Sequence, residues 1–252
     1  MASPEEELKR IQPTLRRLWS FSLLGKKVVV MQEKNFVKEG PNIIVGNHCG
    51  AFKDVAVLLK IAPRPVFFTA NKEIFTKEEF NRLILKHLRR HLKDFGLVAN
   101  AILKPLKYYF VRYVSTNIAK IGTIPVDFRT SKREALRLSQ EYLKKGRAVI
   151  ALQGRGRVQP QDPHPYVSPF KRGASIMAYN LYRDDNISVP VTPLALYGTQ
   201  TPFLIPARII ISVGEPMYIT DYLGGGYSDS IENFRLALEA RVKALFLELI
   251  RA

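Results

Sequence analysis

The chain has 252 residues, 46% of them hydrophobic and 10% aromatic, which supplies a sizeable core and excludes a disordered tail or low-complexity linker. Its 39 Lys+Arg against 22 Asp+Glu leave a net charge of +17, and a balance that basic calls for a polyanionic partner: nucleic acid, an anionic membrane or a phosphorylated substrate. The one cysteine, Cys49, excludes an internal disulfide and fits a reducing compartment.

The opening MASPEEELKR lacks the apolar core of a signal peptide. Residues 5–24 predict an amphipathic helix or two, with Leu8, Ile11, Leu15, Leu18, Trp19 and Leu23 near helical spacing and Pro13 as kink or divide. A strand is expected over 27–31. The turn Glu39-Gly40-Pro41-Asn42 leads into a second strand over 42–46, a helix over 54–61 and a third strand over 65–69. Residues 77–118 predict a long helical region broken near Gly96 and Pro105, with Phe80, Leu83, Ile84 and Leu88 on one apolar face. Then come a strand at 121–126, a helix over 131–145 stopped by Gly146, and a buried-type strand at 148–152. A helix near 172–183, strands near 189–197 and 208–213, and a helix over 229–250 complete the chain. Strands alternating with helices predict an α/β fold, a single largely parallel sheet flanked by helices, with an N-terminal amphipathic helical element. Residues 1–26 form that membrane-facing element. Residues 27–252 form one domain with a helical insertion at about 77–118. No run approaches the roughly 18 apolar residues of a spanning helix, so any membrane contact is expected to be peripheral.

The segment after the second strand, NHCGAFKD, carries the strongest chemical signal. His48 at the strand's end can act as a general base, and Asp54, six residues on, can fix its tautomer and stabilise the imidazolium. Two other readings stay open on these residues alone: a structural histidine in a strand-to-helix connection, and Asp54 as the N-cap of the following helix.

Three more segments sit at strand ends in the same chain order. They are Gly122-Thr123-Ile124-Pro125-Val126-Asp127-Phe128-Arg129, Gln153-Gly154-Arg155-Gly156-Arg157 and Val189-Pro190-Val191-Thr192-Pro193. With the Asn47-His48 block, this order and spacing resemble the glycerolipid acyltransferases, the 1-acylglycerol-3-phosphate acyltransferase (PlsC-like) family, over roughly residues 27–220. Ala70-Asn71-Lys72-Glu73-Ile74-Phe75, Phe170-Lys171-Arg172-Gly173-Ala174 and Val213-Gly214-Glu215-Pro216 are lesser echoes.

The resemblance implies an acyltransferase of phospholipid synthesis or remodelling. It would move a fatty acyl group from acyl-CoA or an acyl carrier protein to a hydroxyl of a phosphate-bearing lysolipid such as lysophosphatidic acid, the alternative within the same chemistry being another lysolipid or a glycolipid as acceptor. His48 and Asp54 would be catalytic, and Arg129, Gln153, Gly154, Arg155, Arg157 and Lys72 would bind substrate. No cofactor or metal is implied beyond the acyl thioester as co-substrate. Two departures from the family pattern stand out. The family places Asp five residues after His, and here the spacing is six. On one continuous helix those spacings differ by about 100°, so His48 is expected in the loop and Asp54 near the helix start, where one extra loop residue is absorbed. Gln153-Gly154-Arg155-Gly156-Arg157 also stands where the family has Glu-Gly-Thr-Arg: the carboxylate is an amide, and the arginine is duplicated around a second glycine. Arg129 falls one residue later than the family's arginine.

Other candidates read more plainly. Adjacent residues in a loop seldom point at each other, so Cys49 beside His48 reads as buried packing. His87 and His91 have helical spacing but no third ligand in sequence, and Arg89, Arg90 and Lys93 would repel a cation. His164 sits in the proline-rich loop QPQDPHP. The basic segments 8–32 and 82–112, interleaved with apolar and aromatic residues, suit an anionic bilayer surface on the cytoplasmic face, with no nucleic acid partner expected. The reading of a different class is a catalytically silent, basic lipid- or nucleic-acid-binding protein of the same fold.

Overall fold

A computed structural model describes Glu6, Arg10, Ala101 and residues 23–92, 104–127, 132–202 and 205–251. The expected N-terminal amphipathic helix, the break near Gly96 and Arg129 lie outside the described residues. The chain divides into two compact units, Gln12–Phe68 with Leu136–Ala252 and Met1–Ile11 with Thr69–Ala135.

The seven strands among the described residues are β1 (Lys26–Met31), β2 (Asn42–His48), β3 (Val66–Asn71), β4 (Ile124–Val126), β5 (Ala148–Gly154), β6 (Val191–Tyr197) and β7 (Ala207–Val213). They form one sheet in the order β1-β7-β6-β2-β5-β3-β4. Every neighbouring pair is parallel except β6 and β7. The helices among the described residues are α1 (Phe52–Ile61), α2 (Lys77–Leu92), α3 (Lys104–Asn117), α4 (Arg133–Lys144), α5 (Gly173–Asp185) and α6 (Tyr227–Arg251). This is the α/β architecture expected from the alternation of strands and helices.

In the larger unit the central strand is β2. Its run Asn42-Ile43-Ile44-Val45-Gly46-Asn47 is buried throughout, as a strand covered on both faces must be. Side chains alternate along it. Ile44 joins a cluster with Ala56, Val57 and Leu58 of α1 and with Ile150, Leu194, Leu196, Ile209 and Ile211. Ile43 and Val45 point to the other face, where α5 and α6 pack with Met177, Leu181, Phe234, Leu238, Val242 and Leu245 all buried. Each such aliphatic side chain contributes about 1.5–3 kcal/mol when fully buried, so the sheet's two cores dominate the stability and fix where the strand ends point. Pro193 is tolerated inside β6 because the ladder to β7 begins only at Leu194, so no donor is needed from its nitrogen on that side.

In the smaller unit Thr69–Asn71 of β3 pair with β4, and α2 packs on α3 with Phe80 and Phe110 in ring contact at 5.8 Å. No helix among the described residues is long and apolar enough to cross a membrane.

Candidate active site

The site grows from the carboxyl ends of two neighbouring strands, the edge at which open α/β sheets place their ligands. β2 and β5 run parallel in a register that sets Asn47 opposite Gln153 and His48 opposite Gly154. His48 is thus the last residue of β2 rather than a loop residue. Asn47, fully buried, locks this end in place. Its Oδ1 accepts the Leu196 N–H at 2.7 Å, and its Nδ2 donates to Leu196 O at 2.9 Å and Tyr166 O at 3.0 Å. One amide therefore completes the backbone pairing of β6 and ties down the loop at Tyr166.

The connection from β2 to α1 reverses within three residues. Gly50 packs so closely on Thr199 that an added Cβ would lie 2.3 Å from the Thr199 Cβ, so no larger residue fits. Ala51 adopts φ 51°, ψ −124°, a conformation costly for a residue with a side chain. That reversal absorbs the extra residue between His48 and Asp54. Asp54 then falls in the first turn of α1, not at its N-cap position, and is wholly buried. Its Oδ2 lies 2.7 Å from His48 Nδ1 and accepts the Gly50 N–H at 2.8 Å. Its Oδ1 is buried without a hydrogen-bond partner among the described residues.

Burying a carboxylate costs several kcal/mol. Here two short charge-assisted hydrogen bonds, at about 1.5–3 kcal/mol each, and the positive end of α1 offset that cost. With Asp54 accepting at Nδ1, a neutral ring carries its hydrogen on Nδ1 and has Nε2 as its acceptor nitrogen. The His48 side chain is 23% exposed, unlike the wholly buried Asp54.

The turn after β5 lies over this histidine. Gly154 has φ 116°, and a Cβ there would come 3.0 Å from the His48 carbonyl oxygen. Gly156 has φ 69°, and a Cβ there would lie 3.1 Å from His48 Nε2 and 3.2 Å from Ala51 Cα. Arg155 is exposed and Arg157 half-buried, and neither forms an ion pair with a described residue. Gln159 Nε2 donates to the Arg157 carbonyl at 3.1 Å and steadies the turn's far side.

Gln153 is built differently from a substrate contact. It is buried, its Nε2 donates to Ala151 O at 3.1 Å, and its Oε1 accepts the Lys171 N–H at 3.0 Å. Both ends of the amide are engaged by backbone. The segment it holds is gripped from the opposite side by α6: Glu239 accepts the Phe170 N–H at 2.9 Å, and Arg235 donates to Phe170 O at 3.2 Å and to Glu239 at 2.7 Å. Arg235 is held charged by Glu232 and Glu239, and Glu239 lies below the usual carboxylate range through Lys243, the Phe170 amide and Arg235, against the opposing effect of its burial.

Cys49 is buried beside Thr199, with Sγ 3.5 Å from Thr199 Oγ1. Burial first, and then the Asp54 charge, push its thiol up to about 12, so it is no nucleophile near neutrality. Lys53, buried on α1, donates to Thr201 O, and Lys26 donates to Pro202 O at 3.0 Å and to Ile205 O. The two lysines hold the loop after β6 by its carbonyls. Burial lowers the pKa of each, and Lys26's charge lowers that of Lys53 further.

In the smaller unit, Lys72 Nζ stands 3.5 Å from Asp127 Oδ2, an exposed pair of small energetic weight. The side chains of His87 and His91 lie outside the described residues. Among the described residues no group of three or more His, Cys, Asp or Glu could hold a metal. Sequence reasoning missed the Asn47 clamp, the double engagement of Gln153 and the position of Gly156 over Nε2. The Asn beside the His was a visible signal for the first, since a buried asparagine at a strand end must find backbone partners.

A parallel α/β sheet with a His–Asp pair at its carboxyl edge, roofed by a glycine turn, defines the fold class. Neither protein-family models nor curated proteins match this sequence. Among solved structures, the chain is similar to the crystal structure of the 1-acyl-sn-glycerophosphate (LPA) acyltransferase PlsC from Thermotoga maritima. The TM-score is 0.60 at 22% sequence identity, covering 100% of this chain and 85% of that one. The chain therefore has the fold of a PlsC-type acyltransferase.

Proposed function

We propose that this protein is a glycerolipid O-acyltransferase in which His48 is the general base and Asp54 its orienting partner. The observation that carries the reading is the 2.7 Å contact between His48 Nδ1 and Asp54, which orients the ring with Nε2 beneath the glycine turn. His48 Nε2 takes the proton of an acceptor hydroxyl as its oxygen attacks the carbonyl carbon of an acyl thioester. The tetrahedral oxyanion collapses, the C–S bond breaks, and the imidazolium returns the proton to the departing thiolate. Base catalysis of this kind contributes about two to four orders of magnitude. Backbone amides of the Gly154–Gly156 turn are the candidate donors to the oxyanion. No covalent acyl-enzyme is needed, in keeping with a buried, protonated Cys49.

The acceptor is a phosphate-bearing lysolipid such as lysophosphatidic acid, and the donor is acyl-CoA or an acyl carrier protein. Arg155 and Arg157 supply planar, permanently charged donors for the phosphate. The family resemblance assigns the same role to Arg129 and Lys72, and each is open to its own test. Gln153 serves as a tether for the segment at Phe170–Lys171. A mass-spectrometric screen of lysolipids with long-chain acyl-CoA, run on the intact protein and on His48→Ala, tests the reading: a product made equally by both proteins refutes it.

The acceptor's tail lies in a bilayer, so the protein works as a peripheral protein on an anionic, cytoplasmic membrane face. The surplus of Lys and Arg supports this, as does the exposure of Tyr108 and Tyr109 on α3, a helix that also carries exposed Lys104 and Arg112. Vesicle co-sedimentation is expected to rise with anionic lipid fraction and to weaken as salt shortens the Debye length from about 10 Å at 0.1 M to about 3 Å at 1 M. Equal binding to neutral and anionic vesicles refutes the electrostatic part. Preference for nucleic acid over vesicles favours the silent, nucleic-acid-binding alternative.

A further inference from the structure

We propose that Gly156 forms the seat of the acceptor hydroxyl: the absence of a side chain there is what leaves room at His48 Nε2 for an oxygen to sit. A general base must come within about 2.6–3.2 Å of the atom that gives up the proton. A Cβ at position 156 would lie 3.1 Å from Nε2, inside that same shell. A methyl group and the hydroxyl oxygen then compete for one space. The turn cannot swing away freely, because the same Cβ would also meet Ala51 Cα at 3.2 Å and Ala51 Cβ at 3.4 Å. Other glycines differ in kind. Gly154 abuts the His48 backbone, whereas Gly40 shares the left-handed backbone of Gly156, φ 74° against 69°, with nothing within 4 Å of its added Cβ. Gly40→Ala therefore measures the cost of the backbone conformation alone, and Gly156→Ala measures that cost plus the crowding at Nε2.

This inference rests on His48 being the base, so its test reads access to Nε2 without any acyl substrate. Diethyl pyrocarbonate modifies an accessible, unprotonated imidazole nitrogen, and peptide mapping follows the rate at His48. Gly156→Ala is expected to slow modification of His48 at least tenfold against the parent protein and against Gly40→Ala, whose His48 reacts at the parent rate. The rate at exposed His164 serves as an internal standard. Where a lysolipid acceptor has been identified, Gly156→Ala lowers kcat by a similar factor without shifting the pH profile. If Gly156→Ala loses its cooperative melt, the double variant Gly156→Ala/Ala51→Gly carries the test. It removes the Ala51 methyl and relaxes the strained backbone at 51 while keeping the new methyl at Nε2. Parent-rate modification of His48 in a folded Gly156→Ala or double variant overturns the proposal. Slow modification together with a failed lysolipid screen keeps the seat and refutes the acyltransferase reading.

Discussion

The turns leaving β2 and β5 begin at residues paired across the sheet, His48 opposite Gly154, yet they are built on opposite principles. The first is fixed by side chains: Asn47 reaches β6 and Asp54 reaches back to Gly50 through buried hydrogen bonds, and Asp54 also reaches the half-buried His48. The second is fixed by their absence, with Gly154 and Gly156 in backbone conformations that L side chains rarely adopt and in spaces that a Cβ would invade. One turn carries His48 and sets its geometry, and the other leaves clearance beside it. Substitutions therefore fail in different ways: truncating Asn47 or Asp54 damages the first turn, where Gly50 is the one position that also rejects a side chain, and enlargement damages the second.

The largest expected effect lies in the first turn. His48→Ala should lower acyl transfer by about two to four orders of magnitude with an unchanged circular dichroism spectrum. Asp54→Asn, which offers the ring an amide in place of a carboxylate, should give a loss of similar size by destroying the tautomer. Near-normal turnover in either folded variant would break the comparison. Asn47→Ala comes next. It leaves the Leu196 N–H and carbonyl buried without their partner and should cost about 1–3 kcal/mol in a urea titration. A loss of activity without a loss of stability would instead give Asn47 a direct chemical role. On the second turn, Arg155→Gln and Arg157→Gln should raise the Michaelis constant for a phosphorylated acceptor about tenfold, one charge-assisted contact at roughly 1.4 kcal/mol, with little change for an unphosphorylated one. Equal losses on both acceptors would make these arginines structural, and the same measurement on Arg129→Gln decides its assignment. The smallest effect is at Cys49. Its thiol stays protonated well past pH 9, so native protein should resist iodoacetamide at pH 8, and Cys49→Ser should keep its activity. A trapped acyl-thioester on Cys49 would overturn the non-covalent route.

What was legible in the sequence follows the same division. β2 was readable because Ile43-Ile44-Val45 is a short apolar run behind a Gly-Pro turn, and the burial it implied is what the sheet requires. The helices over 52–61, 133–144, 173–185 and 227–251 each lie within a few residues of their expected ranges, since their apolar periodicity reports the same core. The position of Asp54 was half-legible. One extra residue was expected to be absorbed between strand and helix, but the place of absorption, Ala51 at φ 51°, carries no sequence signal, because alanine has no preference for a positive φ as glycine or asparagine does. The role of Gln153 was hidden for another reason. Its partners, Ala151 and Lys171, are backbone groups, and any sequence offers those everywhere. Gly156 could be read as a glycine but not as the glycine above Nε2, since that depends on the β2–β5 register, a pairing of segments far apart in the chain.

That distant pairing also governs how the site comes into being. β1 pairs with β7, joining Lys26 to Ala207, and β2 waits for β5 and β6 before either of its edges is satisfied. Loop closure over such separations is entropically costly and slow, so non-local parallel sheets fold late. During synthesis the Asn47-His48 segment leaves the ribosome long before the Leu196 backbone that Asn47 must grip. His48 and Asp54, only six residues apart, thus spend the early life of the chain close together in sequence but unorganised, and their alignment matures only when nearly the whole larger unit has been made.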